Sequence, residues 1–359
     1  MAKWGFSLAA LVAVALPLAA CGGTQDAGDT AATSVAGEAA GDGGSRLEAI
    51  IARGTLNCGV DGGIPGFSFV DDTGTYSGLD VDVCRAVAAA LFDDPDAVEY
   101  RNLDSTERFE ALKGGEVDML SRNTTWTISR DTSVGMEFAP TTFFDGQGMM
   151  VRGDSGVTTL EDMDGLSICV ETGTTTELNL TDQFRQRGIT FEPVVFKDAD
   201  AGYSAYEEGR CDAFTSDKSQ LVARRSTLSE PEAHVVLDVT MSKEPLGPVT
   251  INNDSAWFDT VKWVTYGLIQ AEEFGLTADT IEAATSSEDP NILRFVGAEG
   301  TLGTDMGLPN DFMVRAVKHV GNYGEIFERN LGQESVFKLE RGQNALWTDG
   351  GLMYAPPFR

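Results

Sequence analysis

Between residues 46 and 359 the apolar positions alternate between helix-spaced runs and short continuous ones. Leu47, Ile50 and Ile51 share a helical face over residues 46–53, and Gly54 supplies the stop. Residues 55–60 have the run of a strand, with Asp61-Gly62-Gly63-Ile64-Pro65-Gly66 as the loop at its C-terminal end. Residues 76–92 have the spacing of a buried helix, in which Asp80 and Asp82 are expected to serve as cap and dipole partners. A strand is predicted at 98–100 and a helix over 105–113, with Phe109 and Leu112 inward and Arg108 near the mouth of a site. Met119 and Leu120 end a short buried strand that runs straight into the polar loop 121–127 and then Arg130.

The pattern repeats in outline. Gly54-Thr55-Leu56-Asn57-Cys58 is echoed by Gly165-Leu166-Ser167-Ile168-Cys169, and residues 111–118, helix into Gly turn into strand with Asp118, by residues 205–212 with Asp212. Two similar α/β lobes explain this economically, each a mainly parallel sheet flanked by helices whose C-terminal loops face the other lobe. The extended stretches 142–151 and 239–247 read as two hinge strands, out to the second lobe and back. Lobe one would then occupy 46–145, lobe two 146–245, and residues 246–359 would complete lobe one and add helices over 257–274 and 311–330.

The first 45 residues differ in kind. Lys3 and the apolar stretch Leu8 to Leu18 make residues 1–20 a secretory signal, too short to span a membrane. The ending Leu18-Ala19-Ala20-Cys21 resembles the bacterial lipobox, in which the cysteine is lipidated; the alternative is ordinary cleavage with Cys21 incidental. Residues 21–45, rich in Gly, Ala, Asp, Thr and Ser, are expected to be a flexible linker. The expected location is the periplasm or the outer face of the cytoplasmic membrane, with the lipid anchor as the only membrane contact.

Charge narrows the partners further. With 56 acidic against 26 basic side chains and a formal net charge of −30, the chain repels nucleic acid and anionic membrane surfaces. The two histidines, His234 and His319, are far apart and have no nearby cysteine pairs, so neither a zinc site nor a Ser-His-Asp triad is expected. Both are read as surface or helix-flank residues, and no metal or cofactor is expected. Apart from Cys21 there are four cysteines, two per lobe. In an exported chain that suggests one bridge in each lobe, Cys58 to Cys84 and Cys169 to Cys211, against four buried free thiols. The absence of a CxxC pair removes support for redox catalysis.

Three segments carry candidate chemistry. Asn123, Thr124, Thr125 and Thr127 can turn donors and acceptors toward one point, and Arg130 offers a planar two-pronged cation suited to a carboxylate; a plain cap at Thr127 or Ser129 with Arg130 solvated is the competing reading. Thr172-Gly173-Thr174-Thr175-Thr176-Glu177 follows a strand and opens a helix, an arrangement that welcomes an anion but also fits a simple capping box. Asp217, just past a buried strand, is suited to an ammonium group, or to a helix cap.

Together these residues resemble the polar-amino-acid branch of the bacterial solute-binding proteins, family 3, and within it the general L-amino-acid-binding proteins of broad-specificity ABC uptake systems. The resemblance is carried by Ser121-Arg122-Asn123-Thr124-Thr125-Trp126-Thr127, Asp145-Gly146-Gln147-Gly148, and the stretches 78–87, 172–180, 242–248, 320–330 and 350–357. It implies a two-lobed periplasmic-binding-protein fold of type II, a monomer that captures an L-amino acid and delivers it to permease subunits driven by a cytoplasmic ATPase. It also implies that Arg130 clamps the ligand carboxylate with Thr125, Thr174 and Thr175, and that Asn123 and Asp217 meet the ammonium. Ser105, Arg108 and Asp61 fall near the ligand side chain. Many relatives carry an aromatic lid where this chain has Ile64, with Phe67 three residues on, which favours a permissive pocket for polar or aliphatic side chains. The alternative on the same scaffold is a cyclohexadienyl-dehydratase-like enzyme, which would need a general acid over the ligand.

Overall fold

The computed structural model describes residues 45–359. The signal sequence, Cys21 and nearly all of the linker expected at the N-terminus lie outside the described residues. Ser45 caps the helix Arg46–Arg53 by accepting a hydrogen bond from the Glu48 N–H at 3.3 Å, and Gly54, at φ 74°, ends it.

Two five-stranded sheets follow one plan. In the first, Val98–Asn102, Leu56–Val60 and Met119–Leu120 lie parallel, followed by Val249–Ile251, which runs antiparallel to its neighbours, and Met136–Phe138 at the edge. In the second, Glu192–Phe196, Ser167–Glu171 and Ala213–Asp217 are parallel, and Gln147–Arg152 and then His234–Val236 follow, each antiparallel to its neighbour. The sequence repeat has a physical counterpart. The Asp118 carboxylate accepts from the Asn57 N–H at 2.8 Å, and that of Asp212 from the Ser167 N–H at 2.9 Å, so each pins the strand beside it. Each lobe also contains one disulfide, Cys58–Cys84 in the first and Cys169–Cys211 in the second.

Between the sheets, Phe143–Asp145 pairs antiparallel with Glu244–Leu246, with Asp145 opposite Glu244. These are the crossing strands of the hinge. The C-terminal part of the chain grips one of them: Asn344 accepts from the Phe144 N–H at 2.6 Å and donates to its carbonyl at 3.2 Å, while Tyr323 Oη donates to the Thr142 carbonyl at 2.7 Å. The long helix Ser255–Glu273 and the helices Phe312–Val320 and Tyr323–Asn330 pack into the core of lobe one.

Four local expectations change. The predicted helix over 311–330 is two helices, because Gly321 takes φ 85° and Asn322 starts a new capping box with Glu325. The helix expected over 105–113 begins only at Arg108, since Asp104 folds the preceding residues into a turn by accepting from the N–H groups of Thr106 and Glu107. Asp80 and Asp82 stand in the first turn of the helix Leu79–Phe92, as dipole partners would, but neither caps it: Gly78 is the N-cap, the Asp80 carboxylate reaches the loop 121–123, and Asp82 accepts from Arg329 and Asn330. His234 is buried against Tyr206, its Nδ1 2.9 Å from the phenol oxygen, whereas His319 sits at a helix end beside Asp93.

Candidate functional site

The buried Asp80 sets the geometry of the lobe-one loop. Its carboxylate accepts from the Asn123 N–H at 3.0 Å and from Ser121 Oγ at 3.3 Å, and burial raises its pKa to about 6. Held this way, Asn123 adopts φ 42°, and neither its side-chain oxygen nor its nitrogen has a protein hydrogen-bond partner although both are buried. Asparagine tolerates that backbone region better than most residues.

The segment keeps the cap of one reading and the buried arginine of the other, and Arg130 is not solvated. Thr127 does cap the short helix Ile128–Thr132, accepting from the Arg130 N–H at 3.3 Å, yet the Arg130 side chain turns inward and is 7% exposed. Its Nη1 donates to the Thr125 carbonyl at 2.8 Å. Burial lowers its pKa to about 10, against the opposing pull of Glu244 and Asp217. Arg108 is more deeply buried, at 2% exposure, with the Phe109 ring 4.9 Å from its guanidinium and no carboxylate at ion-pair distance among the described residues. Its Nε has no partner, and burial together with Arg122 and Arg130 pulls its pKa well below the usual arginine range.

Lobe two presents hydroxyls and acids. Thr174 caps the helix Thr175–Arg187 by accepting from the Glu177 N–H at 3.1 Å, and the Glu177 carboxylate accepts from the Gly173 N–H at 3.0 Å, so the capping reading holds and Glu177 is occupied by the turn. Thr175 Oγ1 lies 3.3 Å from Thr125 Oγ1 across the cleft and donates to Glu244 at 2.9 Å. Asp217 ends the strand Ala213–Asp217 and precedes the helix Lys218–Arg225, but its side chain makes no capping bond. Burial, with Asp145 and Glu244 nearby, holds its pKa well above the carboxylate range. Ser105 joins the lobes, donating to the Glu171 carboxylate and lying 2.9 Å from the Thr172 carbonyl.

Eight of the nine expected residues, Asp61, Arg108, Asn123, Thr125, Arg130, Thr174, Thr175 and Asp217, line one inner cavity of about 20 Å³. Ser105 does not line it. Ile64 does, while Phe67 is buried in lobe one with its ring 5.1 Å from that of Phe143, so no aromatic lid stands at either position. Arg122, Glu171, Thr176, Ser216 and Gln220 line the same cavity and were not singled out from the sequence. Arg122 Nη2 lies 2.6 Å from Asp61 and 3.6 Å from Glu171. The signal for Glu171 was available: it ends the strand beside the one that Asp217 ends, so both carboxylates emerge at one sheet edge. Asp61, Arg122 and Glu171 also line a larger interlobe chamber of about 540 Å³, whose other walls include Phe69, Val70, Asn102 and Arg224. Among the described residues no cluster of three or more His, Cys, Asp or Glu side chains is disposed to hold a metal ion, and no helix is long and apolar enough to cross a membrane.

Comparison with known proteins adds lineage to this geometry. Residues 56–297 match the family described as bacterial extracellular solute-binding proteins, family 3. The chain is 50% identical to the general L-amino acid-binding periplasmic protein AapJ of Rhizobium johnstonii over 87% of its own length and 92% of that protein. It is 48% identical to the glutamate/glutamine/aspartate/asparagine-binding protein BztA of Rhodobacter capsulatus, over 88% of this chain and 94% of that one. Among solved structures it resembles a periplasmic binding protein from Brucella ovis with glutathione bound, at 47% identity and a TM-score of 0.86, covering 88% of this chain and all of that one.

Proposed function

As a chain that belongs to the bacterial extracellular solute-binding proteins, family 3, the protein is a periplasmic amino-acid-binding component of an ABC transporter, and we propose the following account of how it binds and what it accepts. The carrying observation is that the buried Arg130 and Asp217 face one cavity from opposite lobes. A free L-amino acid has the complementary ends. Its carboxylate pairs with Arg130, helped by Thr125, Thr174 and Thr175, and its ammonium pairs with Asp217, helped by the Asn123 side-chain oxygen. Among the described residues the Asp217 side chain makes no capping bond and the Asn123 side chain has no partner, so neither has such a bond for a ligand to displace.

Capture proceeds by rotation about the hinge strands Phe143–Asp145 and Glu244–Leu246, and the closed form is presented to the permease. Specificity is broad, covering polar and aliphatic side chains, since Ile64 stands where a stacking aromatic would narrow it. No chemistry is done on the ligand. A dehydratase on this scaffold would need an acid free to protonate a ring substituent, whereas Asp61 and Glu171 are engaged by Arg122 and Asp217 faces the ammonium. The protein acts as a monomer, tethered at the outer face of the membrane through a lipidated Cys21.

A thermal-shift screen of the common amino acids in both enantiomers tests the reading. Several L-amino acids should raise the melting temperature and their D-forms should not, because a ligand that binds only the native state stabilises it. A melting temperature unmoved by every amino acid overturns the assignment.

A further inference from the structure

The inner cavity, at about 20 Å³, has free space for about one water, so the lobes part to seat even the backbone end of an amino acid, and a side chain of any length extends out of it. Asp61, Arg122 and Glu171 are shared with the chamber of about 540 Å³, which makes them the doorway between the two. Arg122 is buried, its side chain retaining 5% exposure, and Asp61 and Glu171 are mostly covered, at 9% and 12%. Arg122 is further held by donating from Nε to the Leu103 carbonyl at 2.7 Å, so the guanidinium keeps its place while its outer nitrogens choose between partners. Beside it stands Arg108, buried and, among the described residues, with no carboxylate at ion-pair distance.

Two guanidinium groups and two carboxylates make the doorway formally neutral. At such a site neither sign of ligand charge is repelled from a distance, and each sign finds a partner on arrival. A side-chain carboxylate takes Arg108 and Arg122; an ammonium or guanidinium takes Asp61 and Glu171; an amide bonds to one of each. In every case the charge brought by the ligand gains a partner of opposite sign and is not buried alone, which is the costly outcome. Beyond the doorway most of the acids already have partners: Asp104 is 2.9 Å from Lys197, Asp198 caps the helix Ala199–Glu207, and Asp200 pairs with Arg224. They add little repulsion toward an acidic side chain.

We propose that Asp61, Arg122 and Glu171, with Arg108, form an exchangeable counter-ion set through which one site admits acidic, amide and basic L-amino acids, their side chains passing into the larger chamber. This rests on the amino-acid reading above and deepens it. Titration calorimetry with L-glutamate, L-glutamine, L-arginine and L-alanine tests it on the protein and three variants, with melting curves as a folding control. Arg122→Gln should weaken glutamate about 100-fold more than it weakens alanine or arginine, whereas Asp61→Asn with Glu171→Gln should weaken arginine about 30-fold more than it weakens glutamate. Val70→Trp, which fills the larger chamber without touching the doorway charges, should weaken arginine and glutamine about tenfold more than alanine. Equal losses across the panel in Arg122→Gln, or equal losses with Val70→Trp, overturn the proposal while leaving amino-acid binding intact. Should the doorway variants fail to fold, the unaltered protein still decides: rejection of either glutamate or arginine by about 1,000-fold relative to glutamine sinks the exchange. Failure of the unaltered protein to bind any of the four sinks the amino-acid reading itself.

Discussion

Asp118 in lobe one and Asp212 in lobe two do the same job, each accepting from the N–H of the strand beside it, yet a few residues further on the two lobes part company. In lobe one the chain after Met119–Leu120 delivers Arg122 and Arg130, and the helix Arg108–Lys113 delivers a third guanidinium. In lobe two the matching strand ends deliver two carboxylates, Glu171 and Asp217, against the single Asp61 of lobe one. What is common to the lobes holds each sheet together, and what differs gives the cleft its opposed walls. A repeated fold thus becomes a site by making its two loop edges electrostatically unlike while the strands beneath stay alike.

The largest effect should come from removing the strongest element of that asymmetry. Arg130→Ala is expected to cost about 3–5 kcal/mol of amino-acid binding, because the ligand carboxylate would be buried without its partner, while the unfolding transition changes little. Calorimetry giving unchanged affinity would reject that role for Arg130. Next come the features that are paired between the lobes. Replacing both cysteines of a bridge with serine should destabilise the protein by roughly 3.5 kcal/mol for Cys58–Cys84, which closes 26 residues, and roughly 4 kcal/mol for Cys169–Cys211, which closes 42, on the chain-entropy account. Denaturant unfolding under non-reducing conditions measures both, and a far larger loss in one lobe would show that the bridges are not equivalent.

The smallest effect concerns Asp80, which has no counterpart described in lobe two. Its folded-state pKa of about 6 lies above the ordinary 3.8, so between about pH 4 and 6 the native state binds more protons than the unfolded chain. Stability therefore falls as pH rises through that window, by at most about 3 kcal/mol from this group, and levels off above it. Asp145, also raised to about 6 by burial, adds in the same direction. Asp80→Asn should reduce the slope without abolishing it, as read from urea midpoints at several pH values; an unchanged slope would mean that Asp80 is ionised throughout.

The sequence made some of this legible and hid the rest for physical reasons. Helix and strand positions, the hinge segments and the cysteine pairs followed from periodicity, extended runs and export. Arg130, Asn123 and Asp217 were visible because polar residues directly after a buried strand end stand out. Arg122 was passed over although it is Asn123's neighbour, since a single arginine in a polar loop carries no mark of burial; only the fold brings Asp61 and Glu171, 110 positions apart, against it. Asp80 was misread for the same cause. Two acids at a helix start look like cap partners until the loop that donates to one of them, 41 to 43 positions away, is in place.

The grip of Asn344 and Tyr323 on the strand Phe143–Asp145 reaches beyond architecture. A pivot strand fastened on its outer side cannot bend alone, so the work of opening is shared with the C-terminal segment. The retention of cargo and the ease of its surrender to the membrane machinery are then adjustable by residues that line no part of the inner cavity.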